Sequence, residues 1–187
     1  KEKTLKRANK RVKITPPISI DSWKQQHQNV ENHLFHFESN PRLKLLKRIN
    51  LGDINFKNLQ YIPPPVIEDD IIYYSDNDFN ILAKSLESGK VIWKKELELE
   101  ESENFSFIGG ISLEGNNVFV TTGLGNIYKI NKTNGKDVWT KRFFMQFSRP
   151  PLVYKNKVFV ISDDNQVLAL NVNSGDTLWS HIGNIEE

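Results

Sequence analysis

The sequence has 187 residues, a formal net charge of +2, and a composition that is 38% hydrophobic and 26% charged. These values are ordinary for a globular protein, and the small net charge gives no reason to expect nucleic-acid binding. There is no cysteine, so disulfides do not fix the redox compartment. No run approaches the roughly 18 apolar residues of a membrane-spanning helix.

The N-terminus differs in charge from the rest of the chain. Residues 1–17 are predicted to be a disordered basic tail, because positions 1–14 hold seven lysines or arginines and one glutamate. This charge fits a solvated tail, and it also fits attraction to an anionic membrane surface or an acidic partner. The sequence begins with Lys1 rather than methionine, so we expect a processed or trimmed N-terminus. The missing signal sequence therefore does not indicate the cytoplasm.

Residues 18–52 are predicted to form an N-terminal wrap that ends in a single strand. Trp23 stands outside any repeat, because no glycine lies four residues before it. His33 and His36 lie three residues apart, but a metal site needs more ligands at set spacing, so we predict a polar surface segment here. The stretch 43–52 reads as a lone strand without a hairpin partner.

Residues 53–187 contain one unit three times, at a period of about 40 residues. Each unit has a turn with glycine, followed four residues later by tryptophan. The three pairs are Gly89 and Trp93, Gly135 and Trp139, and Gly175 and Trp179. Serine or asparagine before the glycine indicates a tight turn with positive φ, and the tryptophan is expected to cover the turn beside it. All six residues are therefore assigned to the structure of the repeat.

Each unit contains four short β-branched or aromatic runs separated by Gly, Asn and Asp. The predicted fold class is all-β: a β-propeller of four-stranded antiparallel blades, with three blades at about 63–97, 109–143 and 150–183. Three blades leave open sheet edges, so we expect a fragment of a longer chain or copies that assemble to close a ring. In the lone strand, Leu45 stands where the repeats have tryptophan, and we expect this strand to complete the last blade.

The connector before the third blade is the candidate partner-binding site. It is expected to place Met145, Phe147 and Arg149 on one exposed loop, and these residue types are enriched at protein interfaces. We therefore predict that Phe147 and Arg149 contact a partner. The connector from Glu96 to Asn104 holds five glutamates and is predicted to be a solvated loop.

Motifs that carry chemistry are missing from the sequence. There is no P-loop, no His-Glu-x-x-His and no Gly-x-Ser-x-Gly, and Gly123-Leu-Gly125 lies in a predicted hairpin rather than before a helix. Asp76-Asn-Asp78 and Asp163-Asp164 lie in predicted turns, where Asx-turn hydrogen bonding explains them better than calcium. We therefore predict no catalytic residue, no cofactor and no metal.

The repeat resembles the PQQ-like propeller repeats, whose hallmark is an Ala-x-Asp-x-x-Thr-Gly-x-x-x-Trp turn. More closely, the chain resembles the BamB family of outer-membrane β-barrel assembly lipoproteins, in its alphaproteobacterial form. The matching stretches are Trp23-Lys-Gln-Gln-His-Gln-Asn, Pro64-Pro-Val-Ile-Glu-Asp, Gly109-Gly-Ile-Ser-Leu-Glu-Gly and Arg149-Pro-Pro-Leu-Val. The resemblance covers about residues 18–187.

This resemblance implies an eight-bladed, non-catalytic scaffold on the periplasmic side of the outer membrane, lipid-anchored in the full-length protein. It implies binding to BamA through inter-blade loops, here at Phe147 and Arg149, and help with the insertion of unfolded outer-membrane proteins. Three features depart from the family pattern: the lipid-bearing cysteine is missing, Lys129 stands where alanine is usual, and Leu45 replaces a tryptophan. The alternatives are a PQQ-dependent quinoprotein dehydrogenase and another propeller adaptor that binds extended peptides.

Overall fold

The computed structural model describes residues 13–31, 33–40, 42, 44–45, 47–51, 63–97 and 108–183. Within them, twelve strands form three four-stranded antiparallel sheets, each with its strands in chain order. The first sheet holds β1 (Val66–Glu68), β2 (Ile71–Ser75), β3 (Ile81–Ser85) and β4 (Val91–Lys95). The second holds β5 (Ile108–Glu114), β6 (Asn117–Thr122), β7 (Asn126–Asn131) and β8 (Asp137–Arg142). The third holds β9 (Leu152–Tyr154), β10 (Lys157–Ile161), β11 (Gln166–Asn171) and β12 (Thr177–Ile182). The all-β class and the four-stranded antiparallel blades are confirmed.

The middle blade is buried on both faces because it lies between the other two. Val118 and Val120 of β6 pack into a core shared with the first blade, whereas Phe119 between them packs into a core shared with the third blade. All three side chains are fully buried. A strand covered on both sides needs apolar residues at every position, which explains the continuous Val-Phe-Val run.

Each blade has a turn end and a connector end. The turn end carries the hairpin between the first two strands and the glycine turn between the last two. The connector end carries the middle hairpin and the link to the next blade. Gly89, Gly135 and Gly175 have φ of +69°, +71° and +73°, as the repeat predicted. Beside each turn the last strand pair contains a β-bulge, which lies just before the tryptophan.

The N-terminal segment reaches the inner edges of two blades at their turn end. Trp23 forms an isolated antiparallel bridge with Ile67 of β1, with N–O distances of 2.7 and 2.9 Å. The next carbonyl, of Lys24, accepts the amide of Leu113 in β5 at 2.7 Å. We call residues 22–25 the arm. Because it hydrogen-bonds to β1 and β5, the arm joins the first two blades along their innermost strands. Within the predicted wrap, the arm is therefore bound to the blades through backbone hydrogen bonds.

Residues 47–51 lie against the outer face of the first blade. Leu51 packs beside the cluster of Ile72, Tyr74 and Leu82, on the sheet face turned away from the second blade. The Nζ of Lys84 donates to the carbonyl of Asn50. None of the described residues in 44–51 pairs through its backbone with a described strand, so the ring-closing strand stays a prediction.

Two of the predicted segments fall partly outside the described residues. The basic tail lies outside them up to residue 12, and the acidic connector lies outside them from residue 98. No described helix is long and apolar enough to cross a membrane.

Candidate partner-binding surface

The seam between the first two blades is built by Trp93. Its indole Nε1 donates to the carbonyl of Lys132 at 2.8 Å, and its ring lies on the Gly135 turn of the second blade. A Cβ on Gly135 would come within 2.8 Å of that ring. The ring also contacts Tyr73, with 5.9 Å between centroids, and is only 8% exposed. A glycine without a side chain is therefore what lets the indole reach the carbonyl.

The second seam repeats these contacts. Trp139 Nε1 donates to the carbonyl of Val172 at 3.0 Å, and a Cβ on Gly175 would lie 2.9 Å from the Trp139 ring. In both seams the accepting carbonyl belongs to the third residue before the glycine. Each of these two tryptophans therefore covers the glycine turn of the following blade. The sequence predicted that the tryptophan covers a turn beside it, but not which blade that turn belongs to.

An ion pair accompanies the tryptophan in each of the two seams. Lys95, two residues after Trp93, lies 2.8 Å from Asp137. Lys141, at the same position in the second blade, lies 2.8 Å from Asp176. The acid in each pair follows the glycine by one or two residues, so both seams carry a lysine facing a carboxylate.

The third repeat tryptophan, Trp179 on the last described blade, is 44% exposed.

Lys129 adds a hydrogen bond across the second seam, at a cost in desolvation. It occupies the position that Ala83 and Ala169 hold in the other blades and is only 7% exposed. Its Nζ donates to the carbonyl of Val172 at 3.0 Å and lies 5.9 Å from the centre of the Phe119 ring. Burial lowers the pKa of the Lys129 ammonium below its ordinary value of 10.5.

A charged cluster ties the arm to both blades at the turn end. Glu68 accepts Lys132 at 2.7 Å and also pairs with Lys24 of the arm. Burial acts to raise the pKa of the Glu68 carboxyl, but hydrogen bonds and charge from the two lysines outweigh burial. The pKa therefore lies below its ordinary value of 4.5. The cluster joins three segments that are far apart in the sequence.

The connector 143–151 places the two predicted partner residues differently. Phe147 has no exposed surface and packs edge-on against Phe143, with 6.1 Å between ring centres. The expectation that Phe147 lies on an exposed loop surface is wrong, because its ring fills the core between the second and third blades. A side chain in that position supports the loop from beneath.

Arg149 and Phe144 are the residues that this connector exposes. Arg149 is exposed, and its backbone is fixed because Thr121 Oγ1 donates to its carbonyl at 2.6 Å. Phe144 is fully exposed, with a relative accessibility of 101%. Sequence reasoning missed Phe144, although a signal was present. Phe143 and Phe144 continue β8, where successive side chains point to opposite sides, so one of the two must face outward.

Other candidate positions show no assembled site. His33 contacts the ring of Phe35, and His36 Nδ1 lies 3.0 Å from the carbonyl of Thr15. In the Asp76 turn, the carboxylate accepts the backbone amides of Asp78 and Asn80, which is the Asx-turn bonding predicted from the sequence. Among the described residues, no group of three or more His, Cys, Asp or Glu could hold a metal ion.

The structure has three four-stranded blades in a row. Trp93 of the first blade covers the glycine turn of the second, and Trp139 of the second covers that of the third. This arrangement defines a β-propeller of PQQ-like repeats. The family model described as outer membrane protein assembly factor BamB matches residues 77–186. The chain therefore belongs to the BamB family.

Individual relatives agree with this assignment. An uncharacterized protein of Rickettsia conorii is 28% identical over 177 residues, which cover 94% of this chain and 41% of that protein. The outer membrane protein assembly factor BamB of Bordetella pertussis is 28% identical over 116 residues, covering 62% of this chain and 28% of the relative. The chain thus spans less than half the length of these two curated relatives.

Solved structures share the fold. The crystal structure of BamB from Moraxella catarrhalis matches 62% of this chain and 35% of its own, with a TM-score of 0.50 and 21% identity. A europium-containing methanol dehydrogenase matches 86% of this chain and 31% of its own, with a TM-score of 0.68 and 18% identity. Both identities are low, so these matches show the architecture alone.

Proposed function

We propose that this protein is a non-catalytic scaffold of the outer-membrane β-barrel assembly machinery, which binds BamA and assists the insertion of unfolded outer-membrane proteins. We further propose a periplasmic location at the outer membrane, with a lipid anchor in the full-length protein. Membership of the BamB family supports this role. The observation that carries it in the structure is the connector 143–151, which presents exposed residues on a fixed backbone.

The chemistry of this connector suits protein recognition. Phe144 offers a whole aromatic ring to solvent, and Arg149 offers a guanidinium on the same loop. Aromatic and arginine side chains are common among residues that dominate binding energy. Phe147 and the Thr121 hydrogen bond hold the loop in place, so little ordering entropy should be lost on binding.

The test is co-purification of the full-length protein with BamA. Phe144→Asp and Arg149→Glu should each weaken the complex about tenfold or more, because a truncated interface hot spot costs about 2 kcal/mol. Ile92→Asp and Lys94→Glu are the matched controls, since they make equivalent changes at exposed positions on β4. Unchanged melting temperatures would show that all four variants fold.

Two results would contradict the proposal. If Phe144→Asp and Arg149→Glu bind BamA as well as the β4 controls do, the connector is not the interface. PQQ-dependent dye reduction by the full-length protein would favour the quinoprotein alternative, whose fold this chain shares.

The segment 44–51 has a proposed role in the same architecture. We infer that it completes the last blade of a closed ring, because Leu51 and Asn50 already lie on the outer face of the first blade. Cysteines placed on Ile49 and on the last blade of the full-length protein should form a disulfide if the two strands are neighbours.

A further inference from the structure

Two neighbouring glycines of β5 leave no room for a side chain where the connector 143–151 crosses this strand. A Cβ on Gly109 would overlap the carbonyl oxygen of Phe147. A Cβ on Gly110 would lie 2.5 Å from the Cα of Pro150 and 2.6 Å from its nitrogen. Both glycines are buried, and neither has positive φ. The closeness of the connector, and not the backbone conformation, therefore excludes a side chain at these two positions.

The repeat does not require glycine at this place. Strand pairing aligns Gly110 with Pro64 of the first blade and Pro150 of the third. β5 also shifts register against β6 between Ile108 and Gly110, so Gly109 forms a β-bulge. A bulge bends its strand and re-aims the residues beside it. β5 therefore departs from the other inner strands at the point where the connector passes.

Two buried hydroxyls bind the same part of the connector. Ser112 Oγ donates to the carbonyl of Pro151, and Thr121 Oγ1 donates to the carbonyl of Arg149 at 2.6 Å. Ser112 is 1% exposed and Thr121 is fully buried. A residue that precedes proline, as Arg149 precedes Pro150, is also restricted to extended backbone. The backbone of Arg149 is thus held in place, while its side chain is exposed.

Gly125 holds the other exposed residue of the connector in a similar way. Its φ is +82°, and a Cβ on it would overlap the carbonyl oxygen of Phe143 and lie 2.5 Å from that of Met145. The amide of Phe143 also donates to the carbonyl of Gly125 at 2.8 Å. Phe143 and Met145 flank Phe144, whose side chain is fully exposed. Gly125 therefore contacts the backbone on both sides of Phe144.

We propose that Gly109, Gly110 and Gly125 are positioning residues of the partner-binding surface. All three are buried, so they act on a partner only through the places at which the connector presents Arg149 and Phe144. This inference rests on the proposed function, because it takes the connector as the surface that binds BamA. A backbone that is already ordered loses little entropy on binding, so loosening it should cost affinity.

The first experiment measures the affinity of full-length variants for BamA. Gly110→Ala should weaken binding about fivefold or more, because Arg149 contributes only where its guanidinium meets its counterpart. Gly135→Ala is the matched control, since its methyl group also meets a neighbour, at 2.8 Å from Trp93, but at the turn end of the blade. The control should lose stability and keep its affinity. A folded Gly110→Ala variant that binds BamA like the wild type would overturn the proposal.

A second pair of variants separates contact with the connector from backbone strain. Gly125→Ala and Gly115→Ala both place an L-residue at positive φ, +82° and +54°, but a Cβ on Gly115 meets nothing within 4 Å. Of these two variants, Gly125→Ala alone should weaken BamA binding, again about fivefold or more. Equal affinities in the two variants would refute the role of Gly125.

Coupling to Arg149 distinguishes positioning from general damage. If Gly110 acts through Arg149, then Gly110→Ala should add nothing to the loss of affinity caused by Arg149→Ala, because residues that act as one unit are not additive. Additive losses would show a different route to the partner and contradict the proposal.

Thr121 tests the placement of Arg149 without adding a clash. Thr121→Val removes the hydroxyl donor and keeps the size of the side chain, whereas Thr121→Ser keeps the donor. The valine variant should bind BamA about threefold more weakly, and the serine variant should bind like the wild type. Equal affinities in both variants would contradict positioning of Arg149 by the buried groups beneath it.

Hydrogen–deuterium exchange of the full-length variants examines the connector without BamA. Gly110→Ala should speed exchange in residues 143–149, and Gly135→Ala should not. Unchanged exchange in Gly110→Ala would overturn the positioning inference, whatever the binding data show. Faster exchange, combined with wild-type BamA binding by Arg149→Glu, would instead overturn the proposed function and leave the placement of the connector by the glycines supported.

Discussion

Replacing Gly135 with alanine should damage the first seam, whereas the same change at Gly89 should not. Both residues have nearly the same φ, +71° and +69°, so each substitution costs about 1–2 kcal/mol for an L-residue in left-handed conformation. Of these two positions, Gly135 alone brings the new methyl group against a tryptophan ring of the described residues, at 2.8 Å from Trp93. Displacing that ring should cost about 1–3 kcal/mol more, and a weakened indole hydrogen bond about 1 kcal/mol.

Urea denaturation of the two variants and the wild type measures the difference. We expect Gly135→Ala to lose roughly 2–4 kcal/mol more of the free energy of unfolding than Gly89→Ala, with unchanged m-values. Trp93→Phe in each background then separates the two contributions, because the shorter ring should relieve part of the clash at Gly135 and none at Gly89. Equal losses at the two glycines would refute the assignment of the seam to the indole and the glycine.

Other predictions concern buried charge and backbone strain. Lys129→Met should stabilise the protein at neutral pH, because it removes a buried ammonium group. Thermal melts should show this gain shrinking as pH rises towards 10.5. The reason is that Lys129, with its lowered pKa, loses its proton in the folded state at a lower pH than in the unfolded state. Glu68→Gln should cost about 1 kcal/mol at pH 7; this loss should fade below pH 4.5, since a lowered pKa contributes stability only while the carboxyl is ionised. His27→Gly and Gln28→Gly should each stabilise by up to about 1 kcal/mol in chemical denaturation, because both residues hold positive φ, +61° and +74°; a loss of stability in either variant would show that its side chain contributes more than the strain costs.

The repeat could be predicted from the sequence because it rests on local constraints. Gly89, Gly135 and Gly175 need positive φ, and each run of β-branched residues favours a strand whatever it packs against. Self-similarity then reinforced each signal three times. The direction in which a tryptophan packs is a tertiary property, so the sequence predicted a covered turn without showing that it belongs to the following blade.

The connector shows where sequence reasoning failed. Phe147 and Phe144 are the same residue type three positions apart, and composition gives no reason to prefer either. Their burial depends on which one reaches the core formed by Val158 and Leu168 of the third blade. Contacts of the arm were beyond prediction for a similar reason, since Trp23 and Lys24 can bond to Ile67 and Leu113 together only once two blades stand side by side.

The positions of the arm and the connector 143–151 have a mechanical consequence. The arm meets the blades at the hairpins that follow β1 and β5, and the connector lies at the far side of the same sheets. The seven residues of β5 separate the two by roughly 20 Å. A molecule bound at the arm and a molecule bound at the connector would therefore not collide. The blades between them would act as a rigid spacer that holds the two molecules at a fixed distance.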